Sequence, residues 1–287
     1  VARIIDFKDG VGCKARCGGE TMKTQLRDLC LIIAGILLLF PFAAAASADH
    51  PQATISVAAN RQANNTNCKE SLHGKDLPKS QRMPVYRPPL RGAPAGRVAG
   101  GTRGVADAVP FLCTLVPEHV GLTVSAEPLL CFFLQEATNF PLEFTIIEHH
   151  GISPLVETQI APPLSAGIHV VCLADYGKQL KQGVKYKWFV ALIPDEQHRA
   201  KDVLAAGGIE RVIFQDDLKR KLKLADAAEI SSIYAETGIW YDALANLSRA
   251  IVADPGNKGL VQQRAFLLEQ VGLSAAAQYE SKRFGNN

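Results

Sequence analysis

The body of this chain, downstream of an N-terminal apolar run, contains no G-x-S-x-G, no H-E-x-x-H, no C-x-x-C and no phosphate-binding loop. Each absence removes a chemistry that needs those residues at that spacing. The first is a serine activated on a strained turn; the second is zinc held by two histidines on one helical face. The others are a redox dithiol and backbone amides wrapped around a nucleotide phosphate. No helical period interrupts residues 109–214, so a βαβ fold is not expected. The chain is therefore read as a non-enzyme without cofactor or metal, with an unrecognised hydrolase as the reading of last resort.

Residues 1–21 show neither a period nor a hydrophobic face, and the chain starts at Val1. From Met22 the order changes. Lys23 and Arg27 are followed by the apolar stretch Leu31 to Phe40 and then by Ala46-Ser47-Ala48. A positive start, an apolar core and a small-x-small site make a cleaved secretory signal. Met22 is expected to be the true start, residues 1–21 a mis-called extension, and cleavage to fall near Ala48. The alternative is an inner-membrane anchor, since Leu29 to Ala48 approaches the roughly 20 residues that span a bilayer. Pro41, the alanine tail and the lack of a basic stop-transfer cluster weigh against it. On both readings the body is periplasmic or secreted.

Four cysteines follow the signal: Cys68, Cys113, Cys131 and Cys172. Export permits disulfides, and four cysteines allow three complete pairings. Buried free thiols are the equal alternative. Charge is uneven. Residues 49–104 hold nine Lys/Arg and three Asp/Glu, a balance of +6, and residues 105–287 hold sixteen and twenty-one, a balance of −5. Residues 49–77 are polar and aperiodic, and residues 78–104 carry five Pro, five Gly and five Arg, so residues 49–104 are read as a disordered basic arm. Such a basic arm could touch an anionic polymer or lipid. Nucleic acid is not an expected partner, because an exported chain meets little of it.

From Val109 short apolar runs alternate with turn residues: "PFLCTLVP", "LLCFFLQ", "LEFTIIEH", "PLVETQIA", "GIHVVCLA", "YKWFVALIP" and "GGIERVIF". Seven short strands in about a hundred residues predict an antiparallel, all-β immunoglobulin-like or fibronectin-like sandwich over 105–215. Within "LKQGVKYKWFV", Leu180, Gly183 and Tyr186 stand at three-residue steps. That is the spacing of a tyrosine corner, in which a Tyr hydroxyl bonds back to the backbone upstream. Tyr186, Trp188, Val190 and Leu192 share a parity and should face the core, with Lys185 and Lys187 pointing away. An aromatic sugar platform at Tyr186 and Trp188 is the functional alternative.

After Phe214 the period becomes helical. A first helix, capped by Asp216 or Asp217, is expected to carry Leu218, Leu222, Ala225, Ile230, Ile233 and Tyr234 and to end at Gly238. A second bears Trp240, Ala243, Leu244, Leu247 and Ile251 and stops at Pro255. Asn257 can cap a third, and a short fourth starts near Ser274. Tyr234, Gly238, Trp240, Ala243, Leu247, Ala250 and Pro255 match the spacing of a tetratricopeptide-like repeat, so 216–287 is read as a small helical-repeat module. One repeat and part of another cannot bury both faces. Part of the stripe is expected to dock on the sandwich, and the concave side near Tyr234 and the third helix to hold a partner's peptide.

Two polar clusters stand out. Adjacent strand residues point to opposite faces, so His149 and His150 could not share a metal without distortion, and a solvated turn is expected. Asp195, Glu196, His198 and Asp202 fall in one loop, again read as a solvated turn.

Taken in order, the signal, "RGAPAGRVAGGTRG", "TLVPEHVGLTVSAEP", "LKQGVKYKWFVALIPDEQHRAKDV", "GGIERV" and "GIWYDALANL" resemble the bacterial domain of unknown function 928 family of exported proteins, over about Pro88 to Ala277. The resemblance implies no activity or catalytic residue. The chain departs from it at Pro194, where members often carry Cys, and at Gly208, where they often carry an aromatic. The expected function is an envelope binding protein with a protein partner on the helical module. Carbohydrate or anionic-polymer binding by the sandwich and basic arm is the alternative.

Overall fold

The computed structural model of the chain describes residues 5–6, 82–89, 97–100 and 109–285. All of them fall in one of the chain's two compact units; the other, Lys14–Lys75, lies outside the described residues. So do the signal segment, Cys68, most of the 49–104 arm and all but two residues of 1–21.

Ten strands are described. They are β1 (Ile5–Asp6), β2 (Ala99–Gly100), β3 (Leu112–Thr114), β4 (Gly121–Thr123), β5 (Leu129–Leu134), β6 (Leu142–Glu148), β7 (Pro154–Ile160), β8 (Gly167–Cys172), β9 (Lys185–Leu192) and β10 (Val203–Arg211). They form two five-stranded sheets, β1-β8-β5-β3-β2 and β4-β10-β9-β6-β7. Five helices follow: α1 (Asp216–Leu224), α2 (Ile230–Glu236), α3 (Trp240–Ala253), α4 (Lys258–Glu269) and α5 (Ser274–Gly285).

The pairing is antiparallel except where β4 runs parallel to β10. That departure from an all-antiparallel expectation has a local cause. The chain passes from the first sheet to the second over residues 115–120, without a hairpin reversal. β4 is only three residues long, too short to show a period of two.

β9 shows its period plainly. Tyr186, Trp188, Val190 and Leu192 are buried, and Lys185 and Lys187 are exposed. β5 and β8 are buried along their whole length. Their runs "LLCFFL" and "GIHVVC" do not alternate because helices lie against them, α3 on β5 and α5 on β8. The Tyr186 hydroxyl accepts the amide of Lys181 at 3.1 Å, five residues upstream. Gly183, at φ +73°, donates its amide to the Arg211 carbonyl. Tyr186→Phe leaves the Lys181 amide without this acceptor, so a loss of about 1 kcal/mol is expected in urea unfolding. An unchanged midpoint would show that the bond contributes nothing.

The first predicted helix is broken. α1 ends at Leu224 and α2 begins at Ile230, joined by a turn in which Glu229 donates to the Asp226 carbonyl. Leu218 and Ala235 are both buried and stand 17 residues apart. On an unbroken helix they would point about 100° apart. The break lets both face inward. Asn257 caps α4, its side chain accepting the Leu260 amide at 3.3 Å.

One core runs through sheets and helices, across the boundary that the sequence places at residue 216. Trp240, Ala243 and Leu247 are buried in it, Tyr234 and Ala250 are half-buried, and Pro255 is exposed just past α3. The Trp240 indole donates to the Leu115 carbonyl at 2.9 Å. The Trp188 indole donates to the Tyr241 hydroxyl, which donates to the Gly208 carbonyl, each at 2.9 Å. Asp242 accepts from the Thr123 hydroxyl and the Val124 amide, and burial raises its pKa. At the other end of the module the Tyr279 hydroxyl donates to the Ala166 carbonyl, with its ring edge-on to Phe133.

The arm needs correction in two places. Ala99–Gly100 pairs with β3, and Val98 exchanges backbone bonds with Ala206 on β10. Residues 82–89 form an extended strap over the helices. Gln270 holds both sides of its backbone: the Tyr86 amide donates to Oε1 and Nε2 donates to the Pro84 carbonyl, each at 2.8 Å. The Arg87 amide donates to the Ala235 carbonyl at 3.0 Å. Pro84 and Tyr86 are buried, and the Tyr86 ring meets Trp240 edge-on at 5.0 Å. Proline excludes a helix or an inner strand. It does not exclude a docked extended segment whose few donors are met by side chains. Gly238, at φ +77°, closes α2, and a Cβ there would stand 2.9 Å from the Arg87 carbonyl oxygen. The strap thus lies against the ends of α2 and α4 and the start of α3.

Candidate functional site

Two open clefts concentrate the exposed chemistry of the described residues. The first, about 510 Å³, lies at the β6–β7 turn of the second sheet, against β9 and β10. Glu148, His149, His150, Lys185, Lys187 and Gly208 supply its lining. Strand parity explains the set. Tyr186 and Trp188 turn inward, so Lys185 and Lys187 turn out. Lys187 stands opposite Gly208 in the ladder, and the missing side chain leaves the space beside the lysine open.

The histidine pair sits in the expected solvated turn, both residues exposed. They follow the last strand residue, so strand alternation does not separate them and the two imidazoles meet. His149 Nδ1 stands 3.2 Å from His150 Nε2, with the rings edge-on at 4.4 Å. The His149 amide still donates to the Lys185 carbonyl at 2.8 Å, which pins the turn to β9. Burial, His150, Lys187 and Lys185, in that order, hold the His149 pKa below its usual value. Glu148 is engaged by the Lys181 ammonium at 2.7 Å. Lys185 and Lys187 have no ion-pair partner among the described residues, although Glu210 stands opposite Lys185 in the ladder. The cleft therefore offers positive charge and N–H donors, and its one lining carboxylate is already paired.

The second cleft, about 740 Å³, lies between β4, β10 and the first two helices, and is mostly apolar. Leu122, Val212, Leu218 and Ile239 line it, with Ile213 at its edge 68 % exposed.

The other sequence candidates are placed as follows. Leu180, Gly183, Tyr186 and Trp188 come together at the start of β9, with Leu180 and both aromatic rings in the core rather than on a platform. Cys113, Cys131 and Cys172 are buried and free, so no disulfide joins these three. Burial pushes the Cys113 and Cys131 thiols up to about 12, where they are not nucleophiles at neutral pH. The Asp195 loop is exposed and laced with ion pairs. Asp195 meets Lys201 at 3.0 Å and His198 at 2.7 Å, and Arg199 reaches Asp202 and Glu143. Its Asp195 and Asp202 carboxylates are spent on cations. No group of three or more His, Cys, Asp or Glu that could hold a metal occurs among the described residues. No helix among them is long and apolar enough to cross a membrane.

Sequence reasoning missed several residues that matter. Tyr241 and Asp242 follow Trp240 directly, and their polar atoms bind the second sheet. Arg264 and Glu280 form an ion pair buried inside the helices.

No curated protein matches this chain. A crystal structure of a multi-domain immunophilin from Arabidopsis thaliana is 8 % identical over 67 % of this chain and 99 % of that one. Its TM-score of 0.20 is too low to argue from. Residues 98–281, from the Val98 bridge to the last turns of α5, match the family model described as Domain of Unknown Function (DUF928). That match takes in β2 to β10 and the helices alike, so the sheets and the helical module are one family unit, and the chain belongs to the DUF928 family.

Proposed function

We propose that this is an exported, non-enzymatic binding protein of the cell envelope that holds an anionic polymer on its second sheet. The carrying observation is the first cleft, where Lys185 and Lys187, which have no ion-pair partner among the described residues, stand beside two imidazoles. Ammonium and N–H donors hold phosphate, sulfate or carboxylate oxygens well, and clefts of a few hundred Å³ suit one repeat unit of a polymer. Glu148, tied to Lys181, is poorly placed to act as a base, which favours holding over bond breaking. Export rests on the Met22–Ala48 signal. The sheets read as an immunoglobulin-like sandwich, supported by the parallel β4–β10 edge and the Tyr186 corner. The helices read as a tetratricopeptide-like hairpin, supported by the Gly238 turn and the small Ala235 and Ala243 between α2 and α3.

The test is binding of the full chain to inorganic polyphosphate and to polygalacturonate, with neutral dextran as control. Lys185→Glu with Lys187→Glu should weaken binding at least tenfold and flatten its salt dependence. Equal binding of dextran, or no loss in the double variant, would move the site elsewhere. A protein partner on the apolar second cleft is the second reading, favoured by the exposure of Ile213 there. Ile213→Asp should then abolish capture of that partner without lowering stability.

A further inference from the structure

We propose that the first cleft takes up its anionic ligand together with a proton, which is bound by the His149–His150 pair, so that capture tightens as the surroundings acidify. This rests on the anionic-polymer reading above and adds the coupling. The geometry carries it. Nδ1 of one imidazole and Nε2 of the other are 3.2 Å apart, so between them they can hold one N–H and one lone pair. A second proton would set two N–H groups against each other. An anionic oxygen seated between the rings and the lysines accepts both N–H groups and removes that conflict.

The charges around the pair act in the same direction. β9 brings Lys185 and Lys187, and β6 brings Glu148, already held by Lys181. β10 brings Gly208, which carries no charge, and Glu210, which faces Lys185 across the ladder. On β7, Glu157 stands opposite Thr145, away from the turn. The free cleft is therefore net positive and resists a further proton, which agrees with the lowered His149 pKa. A bound anion cancels that field and raises proton affinity. By linkage, what raises proton affinity on binding must itself bind tighter where protons are abundant. The sign is fixed: the dissociation constant falls as pH falls, and one proton enters with each ligand unit.

Calorimetric titration of the full chain from pH 8 to pH 5 tests this, with inorganic polyphosphate in one arm and polygalacturonate in the other. Internal phosphates and uronate carboxylates stay ionised across that range, so a change of affinity belongs to the protein. Repeating each titration in buffers of different ionisation heat counts the protons. The expected result is about tenfold tighter binding at pH 5.5 than at pH 8, with net proton uptake. The same double variant in both arms, His149→Gln with His150→Gln, should show no pH dependence and no proton uptake, whatever its affinity at pH 8. A preference for one arm identifies phosphate or carboxylate as the ligand chemistry. Affinity that ignores pH in the wild type, or pH dependence that survives in the double variant, overturns the coupling and leaves the binding site standing. Binding to neither polymer at any pH overturns the site itself.

Discussion

Trp188→Ala is expected to lower the unfolding free energy by about 3–5 kcal/mol, the cost of truncating a fully buried aromatic. Trp188 is 0 % exposed and packs near Phe144, with ring centroids 6.3 Å apart. It also joins the two halves of the fold, because its indole donates to Tyr241 on α3, and Tyr241 in turn donates to Gly208 on β10. Neighbours cannot easily fill the hole. Gly207 lies opposite Trp188 in the ladder, and a Cβ there would stand 2.7 Å from Val116. Tyr241→Phe removes only the hydroxyl and leaves the indole N–H and the Gly208 carbonyl without this partner, so about 1–3 kcal/mol is expected. Because both changes remove one hydrogen bond in common, the double variant should lose less than the sum. Urea unfolding with coincident fluorescence and circular dichroism measures all three. A double variant whose loss equals the sum would mean that the indole–hydroxyl bond does not couple the sheet to α3.

Glu280→Ala is expected to be as damaging for a different reason. Arg264 and Glu280 are each 1 % exposed. The guanidinium donates through both Nε and Nη2 to one carboxylate oxygen of Glu280, and through Nη1 to the Ser248 hydroxyl at 3.2 Å. One cluster thus ties α3, α4 and α5 together. Removing the carboxylate leaves a buried cation without its counter-ion, which costs about 3–5 kcal/mol. Replacing both partners with apolar residues of similar volume, as in Arg264→Met with Glu280→Leu, should recover most of that loss. The same unfolding experiment decides: a single-variant cost under about 1 kcal/mol would show that water reaches the cation.

The two adjacent aromatics that start α3 differ in how legible they were. Trp240 was readable as core because it sits on the stripe with Ala243, Leu244 and Leu247. Tyr241 was not, since it lies about 100° away from Trp240 on the helix and is buried by β4 and β10, which come from distant parts of the chain. Arg264 was hidden for a related reason. α4 is enclosed by α3, α5 and the strap, so its buried side is wider than a single stripe and its period is blurred.

The sequence by itself determined the elements whose side chains answer to one neighbouring surface. The alternation of β9, the Leu180–Gly183–Tyr186 step, the Asn257 cap and the turn to helices after Phe214 all follow from local spacing, because one covered face imposes one period. It also determined the family, through motifs in a fixed order. Only the tertiary structure decided what depends on two distant segments meeting. The Pro-rich strap is packed because Gln270 and Ala235 satisfy its backbone. β4 pairs in parallel because the chain crosses between sheets. Cys113, Cys131 and Cys172 are buried as free thiols, and His149 and His150 meet because both fall in the turn beyond β6 rather than in the strand. Spacing carries no trace of these, since a partner's donor, acceptor or covering ring contributes nothing to the local pattern until folding brings it within reach.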